Sequence, residues 1–394
     1  MQSQPNSLLL DTLYCFLFSV GTVVYFVLPI WGGIFSEIIL FNTAMIGWLL
    51  SADMIANAIA NVTARYWINR WCWRKTAFGF VILIAVANLM CIGVEGFASL
   101  IMLRLVAGFA GGGLTSLAVA GIARSGKPDR YFGIALSIQV FLGGLILFAS
   151  PSLLAEFGNA SIYVSLAVLA LIAAPFLQVI PDRQSRAQQQ IPKFQEAVGV
   201  KASGQSPKIL TILGFIGVAL FFAGMNSIWA FAENIGTELG IEDQFIATTL
   251  SFSLLISMGG SLIAAYLAGK VKRHTPIVLG ASFIALAVIS FFWVQGNWMF
   301  FIAINVFNFG FNFVIPFQSG WIASFDIKGD NIVLLPAVQG VGISIGPILS
   351  GFIINDVSYL RAIYPSSILL IASIVIFLIL KSRQSSLQIS SLDI

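Results

Sequence analysis

Twelve apolar stretches divide this chain of 394 residues, each close to the roughly 20 residues that a helix needs to cross about 30 Å of hydrocarbon. Before the middle they run over 9 to 32, 42 to 64, 76 to 95, 97 to 123, 133 to 154 and 160 to 180. After it they run over 208 to 232, 245 to 269, 276 to 294, 298 to 323, 332 to 354 and 362 to 380. Hydrocarbon offers no water to satisfy peptide groups, so continuous apolar stretches of this length are expected to be helices that bond internally. The expected fold is an all-α polytopic membrane protein of twelve transmembrane helices. Composition excludes a soluble domain: 58% of residues are apolar and 9% charged, with a mean hydropathy of +0.96, where a soluble protein carries about a quarter charged residues.

Met1 to Ser7 is polar without Lys or Arg, and the apolar stretch behind it shows no small-residue cleavage site, so the first helix is expected to be retained. Cys15, Cys72 and Cys91 have neither the number nor the spacing of a disulfide framework or a metal site and read as apolar filling. The long polar stretch from Pro181 to Lys208 carries Arg183, Arg186, Lys193, Glu196 and Lys201 and reads as a linker. It separates an N-terminal bundle, 1–180, from a C-terminal bundle with a short tail, 208–394, the linker itself being 181–207.

Eighteen of the 20 basic residues fall in alternate loops, in the linker or in the tail, among them Arg65, Arg70, Arg74 and Lys75, then Arg124, Lys127 and Arg130, then Lys270, Lys272 and Arg273. Such loops face the cytoplasm, which puts both termini on that side of a cytoplasmic (inner) membrane and requires an even number of spans. The two halves also repeat. Asn69 and Gly269 mark matching basic loops 200 residues apart, and Pro151, expected to end the fifth helix, stands 196 residues before Pro347 in the eleventh.

Parallel six-helix repeats of this kind resemble those of the major facilitator superfamily. The fourth stretch, from Arg104 through Leu105, Val106, Ala107 and Gly108 to Gly111, is similar to the family's Arg-x-x-x-Gly-x-x-Gly motif, associated there with proton coupling. Gly342 to Pro347 is similar to its glycine-proline motif. The loop after the second helix keeps the family's positive charges and Asn69 but not its acid. The resemblance implies two pseudo-symmetric six-helix bundles, a small-molecule substrate and protons as the coupling ion. It implies no cofactor and no nucleic acid; the lipid bilayer is the surroundings, and a monomer is expected.

Polar groups inside the hydrocarbon carry the candidate chemistry, because an ionisable side chain there costs at least a few kcal/mol and is retained where it faces a cavity or a partner. Arg104 stands about seven residues, roughly 10 Å, into the fourth helix, and Asp53 about eleven residues, roughly 16 Å, into the second from the same face. A guanidinium spans that difference, so the two are expected to pair, either as a proton-exchanging couple or as a static ion pair. Asn57 and Asn61 follow Asp53 on one helical face. Asn305, Asn308 and Asn312 form a similar stripe on the tenth helix, and Asn226, Trp229 and Glu233 on the seventh, with Glu233 near the membrane edge; each stripe lines a substrate cavity or bonds helix to helix. Tyr25, Gln139, Gln339, Ser257 and Gln318 are further candidates for polar contacts. Gly108 with Gly112, and Gly342 with Gly346, have the spacing of close helix packing.

Other function classes lack their parts. His274, the only histidine, lies in a basic loop, and no two acids within the apolar stretches share a helix face, which leaves a membrane enzyme without a catalytic set. A phosphate-binding Gly-x-x-x-x-Gly-Lys-Ser/Thr loop of an ATP-driven pump is absent from the sequence. The sequence therefore points to a secondary carrier, importing or exporting an organic anion or a hydrophobic compound, or to a solute sensor on the same fold.

Overall fold

The computed structural model describes residues 7–37, 41–68, 70–123, 125, 128–181, 208–267, 270–325 and 334–390. Residues 182–207 of the expected linker, with Asn69, Arg124, Lys127 and Gly269, lie outside the described residues. Among the described residues there is no strand, and twelve helical segments are long and apolar enough to cross a membrane. The chain divides into two compact units, Met1–Phe41 with Trp48–Pro192, and Lys193–Ile394 with Asn42–Gly47.

The first unit contains α1 (Ser7–Thr22), α2 (Leu28–Ser36), most of α3 (Thr43–Trp67), α4 (Trp73–Met90), α5 (Phe97–Ala123), α6 (Pro128–Phe157) and α7 (Ala160–Ile172). Here α5 lies against α1 and α4, while α1 also meets α6 and α4 meets α7. The second unit contains α8 (Lys208–Trp229), α9 (Ala232–Glu238), α10 (Asp243–Leu267), α11 (His274–Ser290), α12 (Asn297–Phe325), α13 (Leu335–Ile354) and α14 (Ile363–Ser390). In it α8 packs on α13 and α14, and α12 on α10 and α11.

Several apolar stretches are not single α-helices. The first breaks at a 3-10 turn, Val23–Tyr25, before α2 begins with Pro29 in its first turn, where a missing N–H costs nothing. The sixth ends in a 3-10 segment, Ala174–Val179, that opens on Pro175. The seventh breaks after Trp229, and α9 starts afresh at Ala232. Pro151 does not end its helix, as expected from sequence, because α6 continues through it to Phe157.

Turn geometry repeats between the units. Gly93 and Gly296, 203 residues apart, both take positive φ, at 75° and 79°, a conformation open to glycine because it has no Cβ. Gly158 and Asn355, 197 residues apart, end α6 and α13 with φ of 64° and 47°, the left-handed residue that closes many helices.

Candidate functional site

Arg104 of α5 and Asp53 of α3 meet inside the first unit. Nε of Arg104 donates to Oδ2 of Asp53 and Nη2 donates to Oδ1, each at 2.9 Å, so the guanidinium grips both oxygens of the carboxylate. The side chains are 2% and 4% exposed, which places an ion pair where neither charge has water to solvate it. The remaining terminal nitrogen, Nη1, donates to Oδ1 of Asn88 on α4 at 3.1 Å. Asn88 is held in turn by its own Nδ2, which donates to the Ile84 carbonyl at 2.8 Å.

The guanidinium carbon lies 4.9 Å from the ring centroid of Trp31 on α2. Trp31 stacks on Phe35 at 5.5 Å and tilts against Tyr163 of α7 at 4.7 Å, so one aromatic wall covers the cation. The Trp31 indole N–H is buried without a hydrogen-bond partner among the described residues. Five helices, α2, α3, α4, α5 and α7, thus converge on one charge pair. Asn88, Trp31 and Tyr163 carry no signal in the sequence that marks them out: they are ordinary residues in apolar stretches, and only the rotation of each helix brings them inward.

The backbone permits the approach. A Cβ on Gly108 would lie 2.6 Å from the Asp53 Cα, and one on Gly112 would lie 2.7 Å from the Asn57 Cα, so α5 rests on α3 through glycines one turn apart. In the second unit Gly346 of α13 approaches Ser227 of α8 in the same manner.

The other predicted residues are distributed unevenly. Asn57 donates to the Gly21 carbonyl and accepts from Asn61, whose Oδ1 accepts from Ser116, a chain of bonds that joins α1, α3 and α5. Gln139 of α6 donates to the Thr22 carbonyl at 3.4 Å, and Tyr25 lies in the 3-10 turn next to it. In the second unit Asn226 bonds back to the Phe222 carbonyl, Trp229 is buried, and Ser257 bonds to the Leu254 carbonyl. The helix break after Trp229 separates Glu233 from the face of Asn226 and Trp229, which corrects the expected single stripe: helical periodicity does not carry through a turn.

The asparagine stripe of α12 meets α10. Asn308 donates to the Ser253 hydroxyl at 2.7 Å, and the Asn312 carbonyl accepts from Ser261. Asn305 donates to the Phe301 carbonyl, and its own Oδ1 is buried without a partner among the described residues. Gln318 is 1% exposed, with both amide atoms unpartnered among those residues, while Gln339 is half-buried in the first turns of α13. Among the described residues no group of three His, Cys, Asp or Glu is placed to hold a metal ion.

The profile of the Major Facilitator Superfamily matches residues 13–326. Over 320 residues the chain is 23% identical to the efflux pump mlcE of Penicillium citrinum, covering 80% of this chain and 54% of that protein. Over 87 residues it is 32% identical to a multidrug resistance protein B homolog of Mycobacterium tuberculosis (strain ATCC 25618 / H37Rv), covering 22% of this chain and 16% of that protein. The chain therefore spans from about a sixth to about half the length of these relatives. Among solved structures, the nucleoside transporter NupG superposes with a TM-score of 0.75 at 15% identity, covering 95% of this chain and 98% of that one. A D-xylose-proton symporter superposes with a TM-score of 0.70 at 14% identity, covering 94% and 97%. At such identity the likeness is one of fold.

Proposed function

The chain belongs to the Major Facilitator Superfamily, a family of transporters rather than enzymes, and from that premise we propose that it is a proton-coupled secondary transporter of a small organic solute. It works by alternating access between two six-helix bundles, 1–180 and 208–394, in a cytoplasmic membrane, with both termini inside. The observation that carries the reading is the buried Asp53–Arg104 pair, a carboxylate and a guanidinium sealed among five helices.

An arginine keeps its proton under all relevant conditions, so the exchangeable proton sits on Asp53. With Asp53 ionised, both of its oxygens accept N–H groups of Arg104 and the pair is electrically neutral. Protonating Asp53 leaves the guanidinium charge uncompensated, beside Asn88 and the Trp31 ring, in a site with no other described counter-ion within bonding distance. That state is high in energy unless the helices rearrange or an anionic solute approaches, which ties proton uptake to a conformational step. Export is the direction favoured by the relatives, an efflux pump and a multidrug resistance protein homolog. The side chains proposed to meet the solute are Gln318, whose amide atoms have no bonded partner among the described residues, and the half-buried Asn312 and Gln339.

Flux in proteoliposomes tests the reading. An imposed proton gradient should drive movement of ethidium or of an aromatic acid such as benzoate, and a protonophore should stop it. Saturable binding of such compounds with no flux would mean a sensor instead.

A further inference from the structure

In the second unit α10 and α11 both pack on α12 yet leave a groove between them, about 620 Å³ in volume, with α12 as its floor. Phe309 and Phe313 of α12 stack face to face at 6.3 Å and form part of that floor, while Ile263 and Leu267 of α10 and Leu279 and Phe283 of α11 form the walls. The wall residues Leu279 and Phe283 are 53% and 62% exposed, so the groove opens on the surface that a bilayer covers. Its lining is apolar save for Thr275 and Asn305.

One end of the groove reaches Val271 and Thr275, within the basic turn of Lys270, Lys272 and Arg273. Among the described residues none of these three cations is paired with a carboxylate: Lys270 lies over the Tyr266 ring at 3.3 Å, Arg273 donates to the Gly320 carbonyl at 2.6 Å, and Lys272 is exposed. An apolar slot that ends in unneutralised positive charge matches a ligand with a hydrocarbon chain and an anionic head.

We infer that this groove binds one acyl chain of an anionic phospholipid, with the phosphate held by Lys270 and Lys272. The site is separate from the charge pair and does not depend on the transport reading.

The test is photolabelling in nanodiscs with phosphatidylglycerol or phosphatidylcholine carrying a diazirine on the acyl chain, read by mass spectrometry of the labelled peptides. With about 1 kcal/mol of attraction per cation near the surface, phosphatidylglycerol should label Ile263–Leu267 and Leu279–Phe283 at least about fivefold more than phosphatidylcholine does. Leu279→Trp, at an exposed position, should fill the groove and reduce its labelling to the level of Ile368 and Ile371 on α14. The double variant K270Q/K272Q should bring the two lipids to equal labelling. Equal labelling by both lipids in the unaltered protein would overturn the proposal. So would labelling no denser than on α14, or competition by ethidium at these residues, which would make the groove an entry path for solute.

Discussion

Gly108 lies against the backbone of Asp53 so closely that a Cβ there would stand 2.6 Å from the Asp53 Cα. The contact is made by backbone, which cannot swing aside, and it sets how near the Arg104 helix comes to the carboxylate. Substituting Gly108 by Val should force α5 from α3, with a loss on the order of 1–3 kcal/mol from overpacking. Gly79, with open space around its Cα, is the control: G79V should melt with the unaltered protein in detergent, and G108V well below it.

Asn88 accounts for the one terminal nitrogen of Arg104 that Asp53 does not reach. Asn88→Leu leaves a buried charged donor without an acceptor, which should destabilise the protein by about 1–3 kcal/mol and reduce gradient-driven flux. Equal melting temperatures and fluxes for N88L and the unaltered protein would remove Asn88 from the site.

The Trp31 ring faces the Arg104 cation while its N–H has no described partner. The useful part of the side chain is therefore the π-face. Trp31→Phe should retain most of the stability and flux, whereas Trp31→Leu should lose about 0.5–2 kcal/mol, the range of a desolvated cation–π contact. Parallel unfolding curves of the two variants distinguish the roles.

The charge pair was legible in the sequence because a carboxylate and a guanidinium are rare in apolar stretches and the difference in their depths is within the reach of an arginine side chain. Its surroundings were not. Asn88 and Trp31 depend on helix rotation, and the break over Val23–Tyr25 resets the phase for everything on α2. For Asn305, Asn308 and Asn312 periodicity gave a common face but not the neighbour it meets, and Ser253 and Ser261 of α10 stand there. The helix break between Trp229 and Ala232, ahead of Glu233, was not legible because an apolar stretch shows its length but not a break within it, and this one falls among residues as apolar as the rest.

The proposed sidedness rests on the alternation of basic loops. Cysteines introduced at Gln190 and at Ser386 into a variant lacking the three native thiols should react with an impermeant maleimide only after the cells are opened. Labelling of either in intact cells would reverse the orientation.

Coupling through Asp53 is the central claim, and its most direct measurement is transport by Asp53→Asn in proteoliposomes, in two modes. Asparagine stands in for the protonated acid and cannot exchange a proton. The variant should exchange solute across the membrane in counterflow, with saturable binding retained, and should fail to accumulate it against a gradient when a proton gradient is imposed. Accumulation by Asp53→Asn equal to that of the unaltered protein, with the same dependence on pH, would contradict the account and reduce the Asp53–Arg104 pair to a structural tie between α3 and α5.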